Sequence, residues 1–198
     1  MRAPANEHQG YPANGPQPEP APTPNPTPQT NTNGGMCREG VRCYDLTKDE
    51  GLITHYPGST RLSEGHTIRD HVDITDAELR VQADKPRSQG GTGKASKFYS
   101  LDMANWAVQY ALDHAGNAEK AIDALSMAPV GTQFSFSVDT GVNVGYGYYK
   151  NNPTVEVTQT VTVVLIVGDD GNVHVLSAYP QLPPASPPTT PKSPIRVQ

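Results

Sequence analysis

Proline placement constrains this 198-residue chain more than any other feature. Nine of the twenty prolines lie in residues 1–35 and seven in residues 180–198, which leaves four for everything between. From Pro16 to Pro28 proline alternates with Gln, Glu, Ala, Thr and Asn, and Pro183 to Pro194 reads alike. Proline fixes φ and withholds a backbone donor, and neither stretch has the apolar side chains that would offset ordering entropy. Both are therefore expected to be disordered linkers with polyproline II character, residues 1–35 before the fold and residues 182–198 after it. Residues 36–62 read as a cysteine-containing lead-in. Residues 63–181 are expected to fold as one domain of ordinary size.

Met1 opens no apolar stretch, and the longest apolar run, Val161 to Val167, is strand-sized, so neither a signal peptide nor a membrane span is expected. A chain that opens directly into a linker is expected to be the C-terminal piece of something larger, or to leave the cell by another export route. Cys37 and Cys43, with Gly40 between them, have the spacing of a small disulfide loop, with free thiols or a metal site as the alternatives. The net charge of −5 argues against a broad basic face. Between Arg61 and Lys97 seven Lys/Arg stand against six Asp/Glu, so any nucleic-acid contact has to come from a few placed groups.

Period and capping residues give a coarse outline. Ser63 is a candidate N-cap for a short helix holding His66 to Val72, and Thr75 for a second, with Asp76 and Glu78 in its first turn. Residues 84–96 read as a loop. Ser100 caps a longer helix that presents Leu101, Ala104, Val108, Ala111 and Leu112 on one face, with Trp106 and Tyr110 packing on a flank. Gly116 ends it, and Asn117 caps a helix that stops before Pro129. Phe134, Phe136 and Val138 then alternate with polar residues as a half-buried strand. Val155 to Val167 reads as one long strand that turns at Gly168–Gly171 into Val173 to Tyr179. Helices first and antiparallel strands after them describe the α+β class.

Three places could carry chemistry. His66 and His71 are five apart, about 140° of helical rotation, so both face one pocket only if the helix is interrupted. Histidine suits proton transfer because its ordinary pKa lies near neutrality. On an extended strand Val173, Val175, Ser177 and Tyr179 would share one face, placing two hydroxyls side by side for a phosphate or oxyanion. Lys97 stands in Ala95-Ser96-Lys97-Phe98 and offers a cation. The glycine-rich run from Gly141 to Tyr149 lacks the ending of a phosphate loop, and its tyrosines are expected to pack against the sheet. No zinc, cofactor or serine-hydrolase motif is present.

Taken in order, five segments resemble the bacterial RNase A-like domain found at the C-termini of CdiA-type and other polymorphic toxins. They are Gly65-His-Thr-Ile-x-x-His-Val72, Thr75-Asp-Ala-x-Leu79, Ala95-Ser-x-Phe98, Val161-x-Val-Val-Leu165 and Val175-Leu-Ser-Ala-Tyr-Pro180. The resemblance implies an RNase A-like fold and a metal-independent, cofactor-free endoribonuclease. Attack by the RNA 2′-hydroxyl would leave a 2′,3′-cyclic phosphate. It implies His71 as general base, Ser177 and Tyr179 as phosphate-binding or charge-stabilising groups, and His66 as the histidine that orients the site. It further implies a contact-dependent inhibition toxin, monomeric, secreted or delivered from the cell surface into a target-cell cytoplasm, with a cognate immunity protein as partner.

One departure stands out. The family places an arginine about eleven residues after the position of His71, and here that residue is Gln82. Arg80 lies about 200° away around a helix and cannot simply replace it, which leaves Arg69, Arg80 and Lys97 as alternative sources of charge. A neutral amide forfeits a charged stabiliser worth roughly 2–4 kcal/mol of barrier. The competing reading is therefore a catalytically silent binding module on the same scaffold.

Overall fold

In the computed structural model, which describes residues 36–37 and 40–185, twelve regular elements follow one another as strands and helices interleaved. They are β1 (Ile53–His55), β2 (Leu62–Glu64), α1 (Thr67–His71), α2 (Asp76–Asp84), β3 (Lys94–Phe98), α3 (Leu101–Asp113), α4 (Asn117–Leu125), β4 (Gln133–Asp139), β5 (Gly145–Tyr149), β6 (Glu156–Thr158), β7 (Thr160–Val167) and β8 (Val173–Pro180). The strands form a β1–β2 hairpin and two antiparallel three-stranded sheets, β3–β5–β6 and β4–β7–β8. The fold is α+β. A hairpin precedes the helices, however, and β3 separates α2 from α3. The linker expectations for residues 1–35 and 186–198 lie outside the described residues. No helix among the described residues is long and apolar enough to cross a membrane.

The main core forms where α3 lies on one face of the β4–β7–β8 sheet. Val161, Val163, Leu165 and Val167 of β7 meet Ala104, Ala107, Val108 and Ala111 of α3, and all are buried. Alanine at three of those helical positions lets the backbone approach the valine surface closely; Ala104, Val108 and Ala111 lie on the face that the sequence period gave, and Ala107 joins them. A smaller core holds α2 against β3 and β5 through Leu79, Ala83 and Tyr148. Thr75 and Glu78 form the capping box that starts α2.

The lead-in belongs to the same folded body. Leu46 is 1% exposed within the main core. Cys37 and Cys43 are joined in a disulfide, and the N–H groups of Met36 and Cys37 donate to the Asp102 carboxylate at the start of α3.

Several local expectations are corrected. Ser63 lies in β2 and bonds Tyr56, so it does not cap α1; His66 occupies that position. The segment Ala95–Phe98 is strand rather than loop, because its backbone pairs with β5. The run from Val155 to Val167 breaks at Gln159 into β6 and β7, which join different sheets. Gly116, not Asn117, is the N-cap of α4, since the Asn117 side chain donates back to the Ala111 carbonyl.

Candidate active site

The five residues of α1 are too few to hold a helix by themselves, so surrounding groups fix it. Both oxygens of Glu50 accept from the first turn, from Ile68 N at 2.7 Å and Arg69 N at 2.9 Å. A carboxylate there satisfies orphan amides and suits the positive end of the peptide dipoles. Asp49 anchors that acid's own segment by accepting from the Tyr44 hydroxyl at 2.6 Å, Val175 N at 3.1 Å and His174 Nδ1 at 3.0 Å. Burial alone would lower the pKa of His174, but Asp170 and Asp49 outweigh it and raise the value. Gly65 permits the close packing, since a Cβ there would fall 1.9 Å from the Asp49 carbonyl oxygen.

Edge bonds then lock α1 to β8. His66 N donates to the Leu176 carbonyl at 3.2 Å, and Ala178 N donates to Thr67 Oγ1 at 2.8 Å. These two bonds bracket Ser177. Because His66 precedes the helix with non-helical φ and ψ, the rotation that separates positions five apart does not apply. The His66 and His71 rings lie 6.3 Å apart.

Each histidine has one nitrogen committed. His71 Nδ1 lies 2.9 Å from the Ser96 carbonyl, and His66 Nδ1 lies 2.7 Å from the Glu64 carbonyl. A carbonyl can only accept, so Nδ1 carries the proton in both rings, and a neutral ring keeps the lone pair of Nε2 for other work. Withdrawal from water pushes the His71 pKa below its ordinary value; the Ser96 carbonyl and the carboxylates of Asp70 and Glu50 oppose this only in part. The Tyr179 ring sits 5.4 Å from that of His71.

A β-bulge decides which hydroxyls accompany them. Leu165 pairs with Val175 but Val164 with Ser177, so Leu176 is the extra residue on β8. Val173 and Val175 accordingly turn into the core with Ala178, while Ser177 and Tyr179 share the opposite face. The single uninterrupted face expected for Val173, Val175, Ser177 and Tyr179 is thus corrected, although the two hydroxyl residues remain together. Ser177 is 5% exposed, and its hydroxyl has no partner among the described residues.

The cationic candidates stand elsewhere. Arg80 stacks 4.0 Å above the Tyr148 ring and reaches the Pro153 carbonyl. Lys97 donates to the Ile74 carbonyl beyond the end of α1. Arg69 is engaged by Asp70 at 2.8 Å and Glu64 at 3.3 Å. Gln82 is exposed on α2 and lines a groove against α1 with Glu50, Asp70, Asp73 and Glu78. The structure therefore brings together His66, His71, Ser177 and Tyr179, and leaves Arg80, Lys97 and Gln82 apart from the His71–Tyr179 contact.

This geometry can take a proton at a neutral imidazole and offer hydroxyl donors beside it. Glu50, Thr67 and the Ser96 carbonyl, which set that geometry, were not singled out from the sequence. Glu50 lies far from the histidines in the chain, and a carbonyl acceptor carries no residue signature. Only Thr67, inside the opening motif, had a signal to find.

A family model described as "Bacterial CdiA-CT RNAse A domain" matches residues 65–180. A crystal structure of a CdiA-CT/CdiI complex from Y. kristensenii 33638 is similar at 23% identity and a TM-score of 0.48, covering 59% of this chain and 99% of that one. No curated protein matches.

Proposed function

The chain belongs to the bacterial CdiA-CT RNase A domain family, and from that premise we propose a metal-independent endoribonuclease toxin. The observation that carries the reading is the His71 tautomer: with Nδ1 held by the Ser96 carbonyl, Nε2 of a neutral ring is free beside Tyr179. His71 takes the proton of an RNA 2′-hydroxyl. The 2′ oxygen bonds to phosphorus, and the bond to the 5′ oxygen breaks. That oxygen leaves as a hydroxyl with a proton from solvent, and the products end in a 2′,3′-cyclic phosphate. Tyr179 and Ser177 donate to the phosphate as its charge develops, in a partly buried setting where such bonds are worth more than in water. His66 orients the site through its bonds to Glu64 and Leu176. Arg80, Lys97 and Gln82 are assigned to substrate contacts outside this core, Arg80 and Lys97 as cations and Gln82 as a neutral hydrogen-bonding group.

The family supports a biological setting for this reading. The domain is delivered from one cell into the cytoplasm of another, acts there as a monomer on RNA, and is neutralised in its producer by a cognate immunity protein. A second reading, a catalytically silent binding module, is favoured by one observation: the expected arginine is Gln82, in a groove rimmed by carboxylates. Incubation with RNA in EDTA separates the two. Cyclic phosphate ends that disappear in His71→Ala support the nuclease. Intact RNA at every enzyme concentration supports the binding module.

A further inference from the structure

The backbone ladder continues one residue past β8, because Gln181 N donates to the Thr160 carbonyl at 2.8 Å. Gln181 therefore falls on the same face as Ser177 and Tyr179, about 6.6 Å beyond Tyr179 along the strand. Thr162 is the cross-strand partner of Tyr179 and is 6% exposed. Its hydroxyl donates to Gln181 Oε1 at 2.9 Å and also lies 2.9 Å from Ser137 Oγ. The amide oxygen can only accept, so the single proton of Thr162 is committed, and Ser137 must be the donor to Thr162. This one-way chain leaves acceptor lone pairs on Ser137 at one end. At the other it leaves the two Nε2 protons of Gln181, which have no partner among the described residues. Ser137 is exposed and Gln181 half-buried, so both can be reached, while the buried Thr162 fixes their polarity.

We propose that Gln181, set by Thr162 and Ser137, is a base-reading subsite that takes the nucleobase beside the scissile phosphate. The proposal rests on the ribonuclease reading above. The ligand is a base that offers a carbonyl oxygen or ring nitrogen to the Gln181 amide and an N–H toward Ser137. Two observations favour RNA on this face. Ser135, Ser137, Thr162, Tyr179 and Gln181 line a face rich in hydrogen-bonding groups, with the Asp139 carboxylate at its end past Ser137, and they adjoin the Ser177 hydroxyl, which is buried with no partner among the described residues. On the α2 side of α1, by contrast, Glu50, Asp70, Asp73 and Glu78 outnumber Arg69, which already pairs with Asp70, and would repel a polyanion.

The test measures initial cleavage rates on four oligonucleotides that differ only in the base 5′ to a single cleavable ribonucleotide linkage. Wild type is expected to prefer one base by about tenfold or more, the range of one well-formed base contact. Gln181→Ala should bring the four rates to within about threefold of one another. Gln181→Glu, which accepts but does not donate, should change which base is preferred. Unchanged ratios in both variants, or equal slowing on all four substrates, overturn the proposal. If wild type cuts no RNA, the nuclease reading has failed, and the subsite is judged by binding instead. Anisotropy with labelled 2′-deoxy homo-oligomers should then show a base preference that Gln181→Ala removes. Equal affinity for all bases in wild type overturns it.

Discussion

The helix that carries His71 has two unlike neighbours. On the β8 side lies a sheet face rich in hydroxyls, with the Gln181 amide just past Tyr179. On the α2 side, the groove with Gln82 gathers four carboxylates around Ile68, Ile74 and Val81. The contrast shows how an acidic chain can host a polyanion: net charge counts residues, whereas binding depends on where the charge is placed. In the proposed mechanism the chemistry belongs wholly to the hydroxyl side, a division that substitutions on either side can break.

The largest effect is expected at the boundary itself. His71→Ala should lower kcat/KM by at least about 10²-fold and up to 10⁴-fold, the usual share of a general base. The pH profile carries the sign. A base must be unprotonated, so activity is lost as pH falls through the folded pKa of His71, which burial sets below 6.5. The unfolded chain takes up that proton more readily, so stability also declines as pH drops below 6.5. An acid limb above 6.5 in kcat/KM would remove His71 from the role of base.

On the hydroxyl side, Tyr179→Phe and Ser177→Ala should each cost about 10²- to 10³-fold in kcat, as loss of a transition-state donor does. Ser177→Ala separates function from structure. Its hydroxyl is buried without a partner among the described residues, so removing it sacrifices no hydrogen bond seen there, and the melting temperature should hold or rise. A drop in melting temperature with full activity would show that Ser177 supports the fold instead.

On the carboxylate side the effects should be smaller and one of them favourable. Gln82→Arg adds the cation that the family pattern places there. If the groove borders the phosphate, kcat/KM should rise on the order of tenfold, a fraction of a fully placed charged stabiliser because the neighbouring acids compete for the guanidinium. An unchanged rate would mean that RNA never meets this side, which sharpens the division rather than removing it.

How much of this was legible in the sequence follows from the range of the interactions. The α3 face, the Thr75 N-cap and the β7–β8 turn depend on neighbours in the chain, and all three appear where the pattern put them. The His66/His71 pair was legible as residues but not as geometry, because the non-helical backbone at His66 is set by its bond to the Leu176 carbonyl. The bulge at Leu176 was equally hidden: strand alternation has no means of announcing an extra residue. Gln159 reads as an ordinary strand position, yet the chain changes sheets there. The disulfide was one of three open readings of two cysteines, and the fold settles it by bringing them together beside Asp102.

Glu50 offers the finest test, because it stands on the carboxylate side yet serves the hydroxyl side. It precedes residue 65, where the family match begins, and it holds the first turn of α1 through both oxygens. Glu50→Gln keeps the shape and one acceptor but removes the charge, so stability should fall by only about 0.5–1 kcal/mol. Its charge also raises the His71 pKa, opposing the effect of burial. Removing it should therefore move the acid limb of kcat/KM to still lower pH. A loss of stability without that movement would reduce Glu50 to a helix cap. The movement with stability nearly intact would make this lead-in acid a positioning residue that acts on catalysis through His71.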